Sequence, residues 1–279
     1  MDTEEPMKPV LLIEEEEYIK TEPPMVRERL ELLRVPLDVL PQNQLANAAY
    51  ELVDSKEGKN IVLLSIWDLL RARRNKEYRT FIMGASLVVP ISKNIIGGSR
   101  FLLGKEPVRY MPFDFVVGTL TALEMRGLSI YLLGGNANIL KKAEKNIRQT
   151  FPRLQIVGRY AGSFKKQGEA LILEAIRKAS PTFLLVGKGV PGGEYWIARN
   201  EKRLPSGIRL WCSDLYEVFA EQKKHPSRYV FDRGLEWVGY CFENPLRFFR
   251  IFPYSYYNML LIIYKLFKKN NPPAPVSTS

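Results

Sequence analysis

The stretch "LLVGKGVPGGEYWIARN", Leu184 to Asn200, runs from an apolar segment through glycines and a proline into a helical pattern carrying Glu194 near its start. A strand that empties into a glycine-rich turn and then a helix can build a phosphate or sugar-nucleotide pocket, because the first helical N–H groups lack intrahelical partners and point outward. Gly187, Gly189, Gly192 and Gly193 would let the backbone approach a ligand closely. The same residue types also serve any chain that must turn from a strand into a helix. A second turn of this kind, "LLGGN", places Gly134, Gly135 and Asn136 after another apolar run.

The elements that must position these turns alternate. Short apolar runs at Asn60–Ser65, Ser86–Pro90, Leu128–Gly135, Leu154–Gly158, Thr182–Gly189 and Gly207–Cys212 read as buried strands. Between them lie helical stretches, among them Asp68–Met83, Asp114–Met125 and Glu169–Ala179. Ile139, Ala143, Ile147 and Phe151 recur every four residues and mark one buried helical stripe. Strand and helix in alternation predict an α/β fold: a mostly parallel, Rossmann-like sheet with helices on both faces. Ligands of such sheets sit at the carboxyl ends of the strands, where both glycine-rich turns fall.

Four segments are expected: an acidic disordered tail over residues 1–24, an α/β domain over 25–221, a helical, aromatic and basic appendage over 222–269, and a disordered tail over 270–279. The first 24 residues carry eight acids against two lysines, so the net charge of +11 becomes +17 over the remainder. That excess suits an anionic partner or a solvated surface. The appendage mixes Phe248, Phe249, Phe252, Tyr256 and Tyr257 with Arg247, Arg250 and Lys265, as a segment lying at a membrane surface would, or as a helical hairpin packed on the sheet would. Its longest uninterrupted apolar run, Met259 to Tyr264, is far below the ~20 residues of a spanning helix.

Two cysteines, Cys212 and Cys241, lie among apolar and aromatic neighbours and read as core thiols in a reducing compartment. One histidine, His225, cannot build a multi-histidine metal site, and no metal is expected. The acidic amino terminus is unlike a secretory signal, which points to the cytoplasm. P-loop, GxSxG and GxGxxG patterns are absent, and no recognised DNA- or RNA-binding motif occurs, so no nucleic-acid partner is expected.

Three ordered motifs, "YLLGGNANILKKAEKNIRQTFPRLQIVGRYAGSF" (Tyr131–Phe164), "LLVGKGVPGGEYWIARN" and "GLEWVGYCFENPLRFFR" (Gly234–Arg250), resemble the WecG/TagA/CpsF family, glycosyltransferase family 26. Weaker similarity extends from Leu33 to Phe115. The resemblance implies transfer of an N-acetylmannosamine-type sugar from a UDP-sugar donor to a polyprenyl-linked saccharide acceptor, without a cofactor, at the inner face of the bacterial membrane. It implies a donor pocket lined by Gly134, Gly135, Asn136, Gly187, Gly189 and Glu194, with Arg247 and Arg250 toward the diphosphate and the appendage on the anionic membrane surface. An oligomer is compatible with all of this.

Several positions depart from the family pattern. The Asp proposed as the family's base, in L-x-x-P-D-G, corresponds to Ile91 in "LVVPISKN", and the T-x-N-P motif appears as "LLSI" with Leu63 and Ser65. Gly193 stands for a Gln, Tyr240 and Leu246 for arginines, and Ser213 and Asp214 for a Gly-Gly pair. Isoleucine cannot accept a proton, which leaves Asp114 and Glu194 as candidate catalytic acids. Asp114 also fits the role of a first-turn helix acid. Two readings stay open: a divergent hexosaminyltransferase, or a catalytically impaired member that binds or scaffolds in the same pathway.

Overall fold

The structure, a computed structural model, describes residues 28–224, 228–234 and 251–267. Both expected tails, Cys241, His225, Arg247 and Arg250 lie outside the described residues.

The chain opens with an antiparallel hairpin, β1 (Glu28–Leu32) and β2 (Val35–Val39). Its two turn residues, Leu33 and Arg34, both take positive φ (51° and 67°), the geometry of a tight two-residue hairpin that normally calls for Asn or Gly. Leu33 is buried, and its carbonyl accepts a bond from Arg73 Nη1 at 3.0 Å, so tertiary contacts hold the unfavourable backbone. No turn signal marks this hairpin in the sequence, where Leu33 and Arg34 stand at the turn.

Helix α1 (Leu45–Val53) leads into β3 (Gly58–Leu64). The stretch expected as one helix from Asp68 to Met83 is two, α2 (Ile66–Arg74) and α3 (Lys76–Met83). Asn75 breaks it: its backbone is extended (φ −114°, ψ 115°), and its side chain accepts from Tyr78 N at 2.8 Å to cap the second helix. There follow β4 (Leu87–Pro90), α4 (Lys93–Leu103), α5 (Pro112–Met125), β5 (Ser129–Leu133), α6 (Ala137–Thr150) and β6 (Gln155–Tyr160). Then come α7 (Glu169–Ala179), β7 (Phe183–Val186), α8 (Tyr195–Asn200), β8 (Gly207–Trp211), α9 (Leu215–Phe219), α10 (Arg228–Arg233) and α11 (Ile251–Phe267).

Six strands form one wholly parallel sheet in the order β4-β3-β8-β7-β5-β6. Strand residues alternate between its faces, and the apolar clusters follow that alternation. Ile61, Leu63, Ile130, Leu132, Phe183 and Leu185 point to one face, covered by α1, α5, α6 and α9. Val62, Leu64 and Val88 point to the other, covered by the hairpin, α2, α3 and α11, while Leu133, Leu184 and Val186 on that face meet α7 and α8. This is the expected Rossmann-like α/β architecture with a helical C-terminal element, and in α6 Ala143 and Ile147 are fully buried as their spacing implied.

Layer order opens crevices along the carboxyl edge at β3/β8, β7/β8, β5/β7 and β5/β6. Neighbouring strands β3 and β8 send their following helices, α2 and α9, to opposite faces, and β5 and β7 do the same with α6 and α8. Where helices diverge, the carboxyl edge of the sheet is left uncovered between them.

Candidate functional site

The β3/β8 divergence holds a cavity of about 1200 Å³ at the carboxyl ends of β3, β4 and β8. Its floor is built from strand ends: Ser65 after β3, Ile91 and Ser92 after β4, Cys212 to Leu215 after β8. Adjacent strand ends are stitched together. Ile91 N donates to Leu64 O at 3.0 Å, and Ser92 Oγ accepts from Ile66 N at 3.2 Å.

Ser65 caps α2 in a reciprocal arrangement. Asp68 N donates to Ser65 Oγ at 3.3 Å, while Ser65 N donates to Asp68 Oδ2 at 2.9 Å. The other oxygen, Asp68 Oδ1, accepts from the Tyr78 hydroxyl at 2.9 Å. Burial, reinforced by the Asp68 charge, pushes the Tyr78 phenol well above its ordinary value, so it stays a donor.

Three carboxylates line the cavity, and each has a partner. Asp68 is engaged as described; Glu194 forms an ion pair with Arg71; Asp214 pairs with Lys223 at 2.5 Å. Arg71 is itself held over the rings of Tyr78 and Tyr195, 5.4 and 5.7 Å from their centroids. Cationic lining comes from Lys93, Arg109, Lys223 and Lys224. Arg109 is a brace: its Nε donates to Ile91 O at 2.9 Å, its Nη1 to Phe231 O, and its guanidinium lies 3.7 Å from the centroid of the Phe231 ring. Cys212 lines the cavity but is buried, which raises its thiol to about 12 with Asp214 and Glu217 adding to the shift, so it is not a nucleophile at neutral pH. Among the described residues no group of three or more His, Cys, Asp or Glu side chains is placed to hold a metal ion.

The glycine-rich turns sit at the same edge of the sheet, over the β5/β7 crevice. They touch each other: Gly135 N donates to Lys188 O at 2.6 Å, and Gly187 N to Leu133 O at 2.7 Å. A Cβ on Gly134 would come within 2.8 Å of the Gly187 backbone, and one on Gly187 would strike the buried Tyr216 ring. Their missing side chains therefore serve close packing of two turns over Tyr216. Gly189 has φ 91° and lies against Gly162, and Asn136 caps α6 by accepting from Asn138 N at 2.9 Å. None of Gly134, Gly135, Asn136, Gly187 and Gly189 lines the large cavity; of the opening stretch, Glu194 and Ile197 do.

Ile91 and Glu194 thus share one space, whereas Asp114 sits in the first turn of α5, outside the lining, 3.8 Å from Arg228. Sequence reasoning did not single out Asp68, Lys93, Arg109, Lys223 or Lys224. Only Asp68 left a readable signal, the Ser-x-x-Asp pattern of a helix cap before an apolar run.

A doubly wound α/β fold with a substrate-sized crevice at the strand carboxyl ends is the architecture of a protein that binds a small molecule there. The chain belongs to the WecG/TagA/CpsF family of glycosyl transferases, whose family profile matches residues 30–273. It is 22% identical over 200 residues to the N-acetylglucosaminyldiphosphoundecaprenol N-acetyl-beta-D-mannosaminyltransferase of Bacillus spizizenii, a match that covers 71% of this chain and 77% of that relative. No helix among the described residues is long and apolar enough to cross a membrane.

Proposed function

We propose that the chain is a hexosaminyltransferase that moves an N-acetylmannosamine-type sugar from a UDP-sugar to a saccharide carried on polyprenyl diphosphate, in bacterial envelope polysaccharide synthesis. One observation carries the reading: Ser65, Ile91 and Glu194, which belong to three motifs far apart in the chain, line a single cavity at the β3/β8 divergence. Residues 25–221 form the transferase unit in this reading, and residues 222–269 an appendage that rests on the anionic inner face of the membrane.

Transfer requires a group that takes the proton of the acceptor hydroxyl, within ~2.6–3.2 Å or through one water. Ile91 supplies none. Glu194 supports the role best among the two candidate acids, because it lines the same cavity and Asp114 does not. Lys223 and Lys224, which line that cavity, would serve a diphosphate alongside Arg247 and Arg250 from the appendage.

A binding-only member is the second reading, favoured by Ile91 at the family's base position. Calorimetric titration with UDP and a panel of UDP-N-acetylhexosamines, followed by a transfer assay on a lipid-linked acceptor, separates the two. Binding with transfer supports the enzyme; binding without transfer supports the scaffold.

A further inference from the structure

The cavity has an arm that the sugar chemistry does not use. Away from Ser65 and Ile91, its wall is the seam between α4 and α11, with Gly97 and Phe101 on one side and Leu261 and Ile262 on the other. Residues 94, 97, 98 and 101 repeat at helical spacing, as do 254, 258, 261 and 262, so each helix turns one stripe toward the other. Gly98 sets their distance. A Cβ there would run into the Tyr257 hydroxyl, and that hydroxyl donates to Asn94 O at 3.1 Å. One residue earlier the seam is open: a Cβ built on Gly97 meets nothing within 4 Å.

The arm is apolar and leads outward. Phe101 and Ile262 are 42% and 54% exposed, and the apolar surface continues along α11 through Leu266 to Phe267. At the outer end the Lys265 ammonium lies 3.9 Å from the centroid of the Phe101 ring. A sugar nucleotide has no use for such a wall, and about 1200 Å³ exceeds the ~300–1000 Å³ typical of a single small-ligand pocket. An acceptor carried on a polyprenyl diphosphate brings what the arm lacks: a branched hydrocarbon joined to a polar, anionic head.

We propose that the α4–α11 seam is the slot for the first isoprene units of the acceptor's lipid, with the diphosphate toward Lys93 and the saccharide reaching Ser65 and Ile91. The inference rests on the transfer reading above. It assigns Gly97 the role of leaving room in the seam, and Phe101 and Ile262 the role of its walls.

The test uses the full chain with GlcNAc-diphosphate acceptors carried on farnesyl or on n-butyl, and compares wild type with Gly97→Leu. Wild type should favour the farnesyl acceptor in kcat/KM by about tenfold or more, and Gly97→Leu should reduce that preference about tenfold. Ile262→Asn, at an exposed position, should act in the same direction and serves if Gly97→Leu fails to fold. Calorimetry with farnesyl diphosphate and dodecyl diphosphate runs in parallel. Farnesyl diphosphate binding that weakens in Gly97→Leu upholds the slot even if no donor and acceptor pair gives transfer, in which case the transfer reading alone falls. Transfer that ignores the carrier, or a preference that survives both substitutions, overturns the slot and leaves transfer standing. Equal affinity for dodecyl and farnesyl diphosphate also overturns it, since the seam would then take any hydrocarbon tail.

Discussion

Arg71 and Glu194 form an ion pair at the wall of the cavity, and the guanidinium is held in turn over the rings of Tyr78 and Tyr195. The pair joins α2, which follows the first sheet strand, to the turn before α8, which follows β7. Glu194 is thereby positioned by a residue more than a hundred positions upstream. If Glu194 acts as base, Glu194→Gln lowers kcat by about 10²- to 10⁴-fold with donor affinity retained. Arg71→Met loses turnover in the same direction by releasing the carboxylate. Steady-state kinetics beside UDP-sugar calorimetry checks both, and turnover indifferent to either substitution removes Glu194 from the mechanism.

Ile91 sits beside Ser65 at the ends of adjacent strands, partly buried against the core. Ile91→Asp places a carboxylate where the proposed transferase reading puts the base. An intact remaining site predicts a rise in transfer rate of about tenfold or more, within the range that a general base contributes. A fall or no change, with the fold retained by circular dichroism, shows that other parts of the site are also altered.

Cys212 is raised to about 12, chiefly by burial, so it stays a neutral thiol at pH 7. In a Cys241→Ser background the native protein should leave a thiol reagent unconsumed at pH 7 and react fully once denatured. The raised value also has a stability consequence. Folding favours the neutral thiol, so its contribution is complete below the unfolded value of about 8.5 and is lost as pH climbs from there toward about 12. Denaturation midpoints of wild type and Cys212→Ala across that interval check the sign.

Asp38 is fully buried and accepts two bonds from Arg29, at 2.7 and 2.8 Å, as well as one from Val88 N at 2.6 Å. Arg29 also donates to the carbonyls of Ala85 and Ser86, so this pair clips the hairpin to edge strand β4. Asp38→Ala leaves a half-buried guanidinium and a backbone N–H without their partner. A loss of about 3–5 kcal/mol in unfolding free energy is expected, readable from urea melts. A loss below about 1 kcal/mol would mean that water replaces the carboxylate.

Leu266 and Phe267 are 68% and 83% exposed on α11, next to Lys265. If the appendage rests on anionic lipid, Leu266→Ser/Phe267→Ser reduces sedimentation with phosphatidylglycerol vesicles. Raising the salt to 1 M weakens wild-type binding, because screening then acts within about 3 Å. Sedimentation unmoved by both treatments removes the membrane contact.

Periodicity carried the sheet. Buried parallel strands must be short and apolar and their crossover helices amphipathic, a pattern that local sequence displays without help; α7 falls on Glu169–Ala179 as read. Motif spacing carried the family as well, since a strand end, its turn and the following helix start are contiguous in the chain. Three features needed the tertiary structure. The hairpin turns on Leu33 and Arg34 in a conformation that only burial and Arg73 make tolerable. The helix break at Asn75 is a competition between a side-chain cap and an i→i−4 bond, decided by packing. The cavity lies at β3/β8, where helices part to opposite faces, while the glycine-rich turns at β5/β7 pack shut on Tyr216. Glycines announce that a backbone can come close to something; only the order of strands, which joins residues from 25 (Phe183 and Ile208) to 149 (Gly58 and Gly207) positions apart, decides whether that something is a ligand or another turn.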